Sequence, residues 1–240
     1  MVLFFYIFVK NYTSIHMSAS IRIKLNEKLY LRNPEDTELG RKIIHVSISM
    51  MDELGFEQFT FKKLALEIDS TEASIYRYFE NKHKLLIYLI SWYWVWLDYR
   101  IMFKTNNIKS PKEKLKIIVK SLSESQNDDP NTDLDEAALH RIVVSESSKI
   151  YLTKDVDEAN KDGLYREYKM LCKKIAEVIL EINPTYKYSH SLTTTIMEAS
   201  HDHVFFAKHL PSLTDIKLTG NDYSQLESYL EHLLFSAIQQ

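Results

Sequence analysis

The sequence predicts an all-α protein, and three observations lead there. Apolar residues recur every three or four positions over most of the chain, as one face of a helix requires. The 5 prolines, Pro34, Pro111, Pro130, Pro184 and Pro211, fall between such stretches and never inside them. Only 4 glycines are present, too few for an architecture built on tight strand turns. No segment alternates convincingly between apolar and polar residues, and no internal repeat or low-complexity tract interrupts the pattern.

The elements follow in order. Leu39, Ile43, Val46, Met50 and Leu54 form a first stripe, closed by Gly55 as a C-cap. Thr60 is a natural N-cap for a helix over Phe61 to Ile68, because its hydroxyl can accept an orphan amide. "IDST" breaks the pattern, and Thr71 or Ser70 then caps a helix over Glu72 to Phe79. Asn81 caps a long helix from Lys82 to about Lys104. Helical pattern continues over Pro111 to Ser125, Asp133 to Lys149, Asn160 to Ile182, Thr185 to His209 and Asp222 to Ile238, roughly nine helices in all. The first three are short and those after Leu86 are long. The division expected is an extension over 1–36, a compact module over 37–85 and a larger helical bundle over 86–240.

Composition limits the classes open to the chain. A 45% hydrophobic and 26% charged content over 240 residues is that of a globular protein with a real core. The one cysteine, Cys172, excludes a disulfide framework and a Cys-based zinc site; it reads as a small apolar residue on a helix, and a reducing cytoplasm fits. "MVLFFYIFVK" carries an apolar run too short to span a bilayer, with no basic residue ahead of it. Residues 1–16 are therefore read as an over-called translation start ahead of Met17, and no membrane partner is expected.

Net charge is −3, and Met17 to Ile90 carries 11 basic and 11 acidic residues. Nucleic-acid binding must then come from local arrangement, not bulk charge. Arg22, Lys24, Lys28 and Arg32 against Glu27 make a basic arm that fits either phosphate contacts or a solvated tail.

Two short helices joined by a tight turn form a helix–turn–helix, whose second helix enters the DNA major groove. Ala73 and Ser74 would let that helix approach base edges, with Glu72 in its first turn. Ile75 and Phe79 face the core, and Tyr76 and Arg77 point outward to hold phosphates or read guanine. Lys62 and Lys63 after Thr60, and Lys82 and Lys84 after Asn81, put cations at helix starts, where the helix dipole disfavours them. A phosphate at each start would remove that cost. The expected DNA-binding residues are thus Thr60, Lys62, Thr71, Glu72, Ala73, Ser74, Tyr76, Arg77 and Lys82.

"FTFKKLALEIDSTEASIYRYFENKHKLL" resembles the DNA-binding signature of the TetR family of transcriptional regulators. Thr60, Leu64, Ala65, Tyr76, Phe79, Lys82 and Leu85 stand at the positions that carry the resemblance, which covers about residues 37 to 90. The turn departs from it, with Asp69, Ser70 and Thr71 for the usual Gly-Val-Ser, but aspartate tolerates the left-handed conformation. His83 and Lys84 replace the usual acidic pair. The resemblance implies a regulator, a repressor by expectation, acting as a homodimer on a palindromic double-stranded operator and answering an unidentified small-molecule effector. It also implies that the last two helices pair with their copies. Tyr188, Leu192, Ile196, Ala199, His203 and Phe206 form a stripe that fits either that interface or internal core.

"SWYWVWLDYR" is aromatic nearly all round, which fits packing between the two parts or an effector pocket lined by Trp96, Tyr99 and His140. Effector-binding residues stay unassigned. Glu198 and His201 have the spacing of di-iron bundle ligands, but the second such motif is missing, so neither a metal nor a cofactor is expected. No nucleophile motif, P-loop or dinucleotide fingerprint is present, and no catalytic residue is expected. The alternative from another class is a helical ligand-binding protein or enzyme with a vestigial helix–turn–helix.

Overall fold

The computed structural model describes residues 23–124 and 132–239; the readings of residues 1–16 and of Arg22 lie outside them. Among the described residues there are eleven α-helices and no strand beyond a single bridge between Thr219 and Asp222. The helices are α1 (Glu38–Gln58), α2 (Phe61–Glu67), α3 (Glu72–Tyr76), α4 (Lys82–Thr105), α5 (Pro111–Ser123), α6 (Glu136–Glu146), α7 (Ser148–Tyr151), α8 (Val156–Lys161), α9 (Arg166–Ile182), α10 (Ser189–His209) and α11 (Ser224–Ile238). Two expected long helices are broken. The segment from Asp133 is interrupted at Ser147, and the one from Asn160 at Gly163, whose φ of +75° ends α8.

The first stripe sits about one residue from its expected place. The buried face of α1 is Gly40, Ile43, Ile44, Ser47, Ile48 and Met51, whereas Leu39, Val46 and Met50 are half-buried and Leu54 is exposed. The extension explains the shift. Its turn Pro34–Asp36 lies against α1 so closely that a Cβ on Gly40 would stand 2.2 Å from the Pro34 carbonyl oxygen. Only glycine fits that crossing. Gly40→Ala is therefore expected to cost about 1–3 kcal/mol of stability by overpacking, measurable by urea unfolding.

Gly55 ends the regular part of α1 with φ +74°, and one more turn follows before Phe59. From there α2 and α3 fold under α1, with Phe59, Leu64, Ile75 and Phe79 fully buried. Helix α4 leaves this head and runs through the bundle, packed against α5, α6 and α9. It is buried all round from Leu85 to Trp94, and Trp96 is inaccessible. The aromatic helix is thus central packing, with the Trp94 indole donating to the Tyr151 hydroxyl at 3.0 Å. Helices α10 and α11 close the far side of the bundle against α9 and α5.

Candidate nucleic-acid interface

Local chemistry builds the helix–turn–helix much as its caps predict. The Thr60 hydroxyl accepts the Lys63 amide at 3.2 Å, that of Thr71 accepts the Ser74 amide at 3.2 Å, and the Asn81 side chain accepts the Lys84 amide at 2.8 Å. Between α2 and α3, Asp69 adopts φ +52°. The Ser70 amide donates to the Ala65 carbonyl (2.8 Å) and the Asp69 amide to the Leu66 carbonyl (3.3 Å). That is a Schellman ending with aspartate where glycine is usual. Asp69→Gly should accordingly raise stability by roughly 0.5–1 kcal/mol, read as a higher thermal midpoint, since glycine meets no steric cost there.

Helix α3 is shorter than expected, ending at Tyr76, and the chain turns through Arg77 and Tyr78 before Phe79. The division of faces holds. Ile75 and Phe79 are in the core, while Thr71, Glu72, Ala73, Tyr76 and Arg77 are exposed and Ser74 half-exposed. Thr60, Lys62 and Lys63 are exposed at the start of α2.

Two contacts bring the separate pieces together. The Tyr76 ring, 48% exposed, stands edge-on to Phe61 with centroids 5.0 Å apart, joining the end of α3 to the start of α2. The Lys82 ammonium donates to the Phe59 carbonyl at 3.1 Å, joining the start of α4 to the same place. The first amides of α2 and α4 lack intrahelical acceptors, so two partly positive helix ends and one exposed phenol lie side by side.

The structure gives the Lys-His-Lys cluster other work besides. Lys82 also donates to the carbonyls of Phe56 (2.9 Å) and Glu57 (3.2 Å), and its ammonium lies 4.5 Å from the Phe56 ring centroid. An ammonium has three protons, and three carbonyls take them. His83 is half-buried edge-on to Phe56, its pKa lowered mainly by that burial, and Lys84 donates to the Lys28 carbonyl at 3.4 Å. Lys82 is thus chiefly a clamp on the end of α1. Sequence reasoning passed over Tyr78, which is buried and shares a 2.7 Å hydrogen bond with the Thr37 hydroxyl.

Inside the bundle, imidazoles and aromatic rings from four helices cluster. Tyr93 and Trp94 of α4, His140 of α6, Tyr168 of α9 and His201 of α10 lie within ring-contact distance, the two histidines at 5.3 Å. Burial drives both imidazoles toward the neutral form, His201 to a pKa of about 4. Burial also pushes the Cys172 thiol up to about 11, so it is an inert packing residue beside Met197. Of the lining suggested by the sequence, Trp96 and His140 are buried here, while Tyr99 lies further along α4, stacked on Phe103. Among the described residues no group of three or more His, Cys, Asp or Glu side chains could hold a metal ion. No described helix is long and apolar enough to cross a membrane.

Polar contacts add to the continuous apolar core in joining bundle to head. Arg141 of α6 grips Asp52 of α1 through two bonds of 2.8 and 2.7 Å. Glu146 accepts the Phe56 amide, just past the Gly55 break, at 3.1 Å and pairs with Lys149 at 2.6 Å. The stripe that fits either the dimer interface or internal core divides: Leu192 and Ile196 are core, whereas Tyr188 is exposed and His203 and Phe206 half-exposed.

The architecture defines an all-helical protein with a helix–turn–helix head on a larger helical domain. Residues 43–89 match the model of the bacterial regulatory proteins of the tetR family, and the Thr60 to Leu85 signature lies within that match. Solved structures share the whole architecture at low identity. A transcriptional regulator from Rhodococcus sp. Rha1 is 12% identical at a TM-score of 0.61, covering 87% of this chain and 97% of its own. The regulator FadR from Bacillus subtilis, in complex with stearoyl-CoA, is 16% identical at 0.56, covering 82% and 97%. AibR, in complex with isovaleryl coenzyme A and operator DNA, is 14% identical at 0.56, covering 81% and 97%. No curated protein matches the chain.

Proposed function

We propose that this protein is a cytoplasmic, homodimeric, effector-responsive repressor that binds a palindromic operator through the face made by α2, α3 and the start of α4. The observation that carries the reading is the exposed pair Tyr76 and Arg77 beside the gathered starts of α2 and α4. Ala73 and Ser74 lie toward the bases, Thr60, Lys62 and Thr71 toward phosphates, and Glu72 at the first turn of the reading helix. Lys82 takes part through the α4 amide end that its side chain helps to place. One five-residue reading helix offers few contacts, so a dimer reading two half-sites one helical turn apart supplies the rest.

The dimer face is assigned to α10 and α11, where Phe205, Leu210 and Tyr229 remain exposed. Exposed apolar groups of this size on neighbouring helices suit a partner of the same kind. The effector is placed in the larger helical domain. Isovaleryl-CoA and stearoyl-CoA are the first compounds to test, because two proteins of the same architecture bind them. The protein acts by binding and not by catalysis.

The test is selection of bound fragments from genomic DNA by the purified protein, which should enrich one palindrome. On that fragment, Tyr76→Ala and Arg77→Ala are each expected to weaken binding by about tenfold or more, the range of a lost base or phosphate contact. Thermal unfolding should be unchanged in Arg77→Ala, whereas Tyr76→Ala also loses the edge contact with Phe61 and should melt a few degrees lower, about 1 kcal/mol less stable. Equal affinity in both variants would move the DNA-binding face elsewhere.

A further inference from the structure

The extension ahead of α1 is not a tail. Leu25 and Leu29 are buried, and polar contacts hold the arm at both ends. At one end, the Asn26 amide donates to the carbonyls of Asp162 and Gly163, each at 3.0 Å, and the Lys28 ammonium pairs with the Asp162 carboxylate at 2.7 Å. These acceptors form the corner between α8 and α9. At the other end, the Leu31 amide donates to the Tyr78 carbonyl at 2.8 Å, the Arg32 guanidinium lies 5.5 Å from the Tyr78 ring centroid, and Thr37 bonds the Tyr78 hydroxyl. Tyr78 is two residues past the end of α3.

The α8–α9 corner is itself anchored in the bundle interior. Tyr165, just past Gly163, donates to the Ile150 carbonyl at 2.7 Å, and its ring packs on Tyr151 at 5.3 Å. Tyr151 in turn accepts the Trp94 indole, beside His201. Contacts therefore run without a gap from the buried ring cluster to the end of the reading helix, through a segment outside the family match at 43–89.

We propose that residues 23–37 are a strap by which the α8–α9 corner of the bundle holds α3, separate from the holds that α4 and α6 provide. Its regulatory consequence rests on the DNA-binding reading above. A change of packing around Tyr151 and Trp94 moves the corner, the corner moves the strap, and the strap repositions Tyr78 and with it Tyr76 and Arg77. Asn26, Lys28 and Leu31 are positioning residues in this scheme and touch no DNA. The two ends must then be energetically coupled, which proximity alone does not establish.

The test substitutes only the corner end and reads the far end. In the full-length protein carrying Asn26→Ala and Lys28→Ala, the amides of Leu31 and Tyr78 should exchange with solvent about tenfold faster, with Ile48 of α1 and Ile175 of α9 unchanged. Faster exchange confined to residues 23–30, or no change, overturns the strap. Equal loss of protection at Ile48 also overturns it, because the arm would then be part of the core of the head and not a separate tether. On the palindrome selected from genomic DNA, the same variant should bind about tenfold more weakly, and Lys28→Arg alone should stay near wild type. Unchanged affinity overturns the regulatory role. If the wild-type protein selects no fragment, the DNA-binding reading fails, and the exchange measurement still decides the strap.

Discussion

Lys82→Met is expected to destabilise the head by about 3 kcal/mol, the scale of charge-assisted hydrogen bonds lost at partly buried carbonyls. Methionine keeps the length and the apolar stem, so the effect isolates the ammonium. Its loss leaves the carbonyls of Phe56, Glu57 and Phe59 without their shared donor and removes the cation from the Phe56 ring. For a protein of this size the thermal midpoint should fall by roughly 6–12 °C. The measurement also separates two roles for the residue. If Lys82 clamps the end of α1, stability falls while the salt dependence of DNA binding by the folded protein keeps its slope. If the ammonium instead sits on a phosphate, stability holds and the slope drops by about one unit.

Acid is expected to unfold the bundle from the inside. The His201 imidazole is buried and its pKa is about 4, whereas in an unfolded chain it takes a proton near the ordinary value of about 6.5. Between those values the unfolded state binds more protons than the folded one. The contribution of His201 to stability is therefore complete above about pH 6.5 and is lost as pH falls through about 4, amounting to about 3 kcal/mol. His140 acts in the same direction, held neutral first by burial, then by the charge that His201, Lys208 and Arg141 would set beside it. Glu167 and Glu198, whose pKa values burial raises, act in the opposite direction and soften the slope. Urea unfolding at pH 7, 6 and 5 should show stability falling with pH. His201→Gln, which has no titrating ring, should flatten the slope by about one proton. An unchanged slope in that variant would remove His201 as the cause.

Much of the head was legible because its signals are local. A threonine or asparagine one residue ahead of a helix accepts an amide three residues on wherever the rest of the chain lies, and Thr60, Thr71 and Asn81 each do so. Asp69 takes the left-handed turn for an equally local reason. The outward Tyr76 and Arg77 follow from the inward Ile75 and Phe79 on one short helix. The stripe of α1 was misread by about a residue because its buried face is chosen by a crossing at Gly40, made by the turn Pro34–Asp36 of the extension.

The sequence by itself determined the all-helical class, the helix–turn–helix, its caps and the exposed face of its second helix, all of which depend on neighbours within about four residues. Only the tertiary structure brought Lys82 onto three carbonyls and Lys84 onto a fourth, made "SWYWVWLDYR" interior packing, and linked Tyr78 through residues 23–37 to the α8–α9 corner. Those outcomes hang on partners up to 137 positions apart, as with Asn26 and Gly163. A lysine carries the same charge whether it meets a phosphate or three carbonyls. Which it meets is set by where the chain brings the acceptors, and no local pattern encodes that.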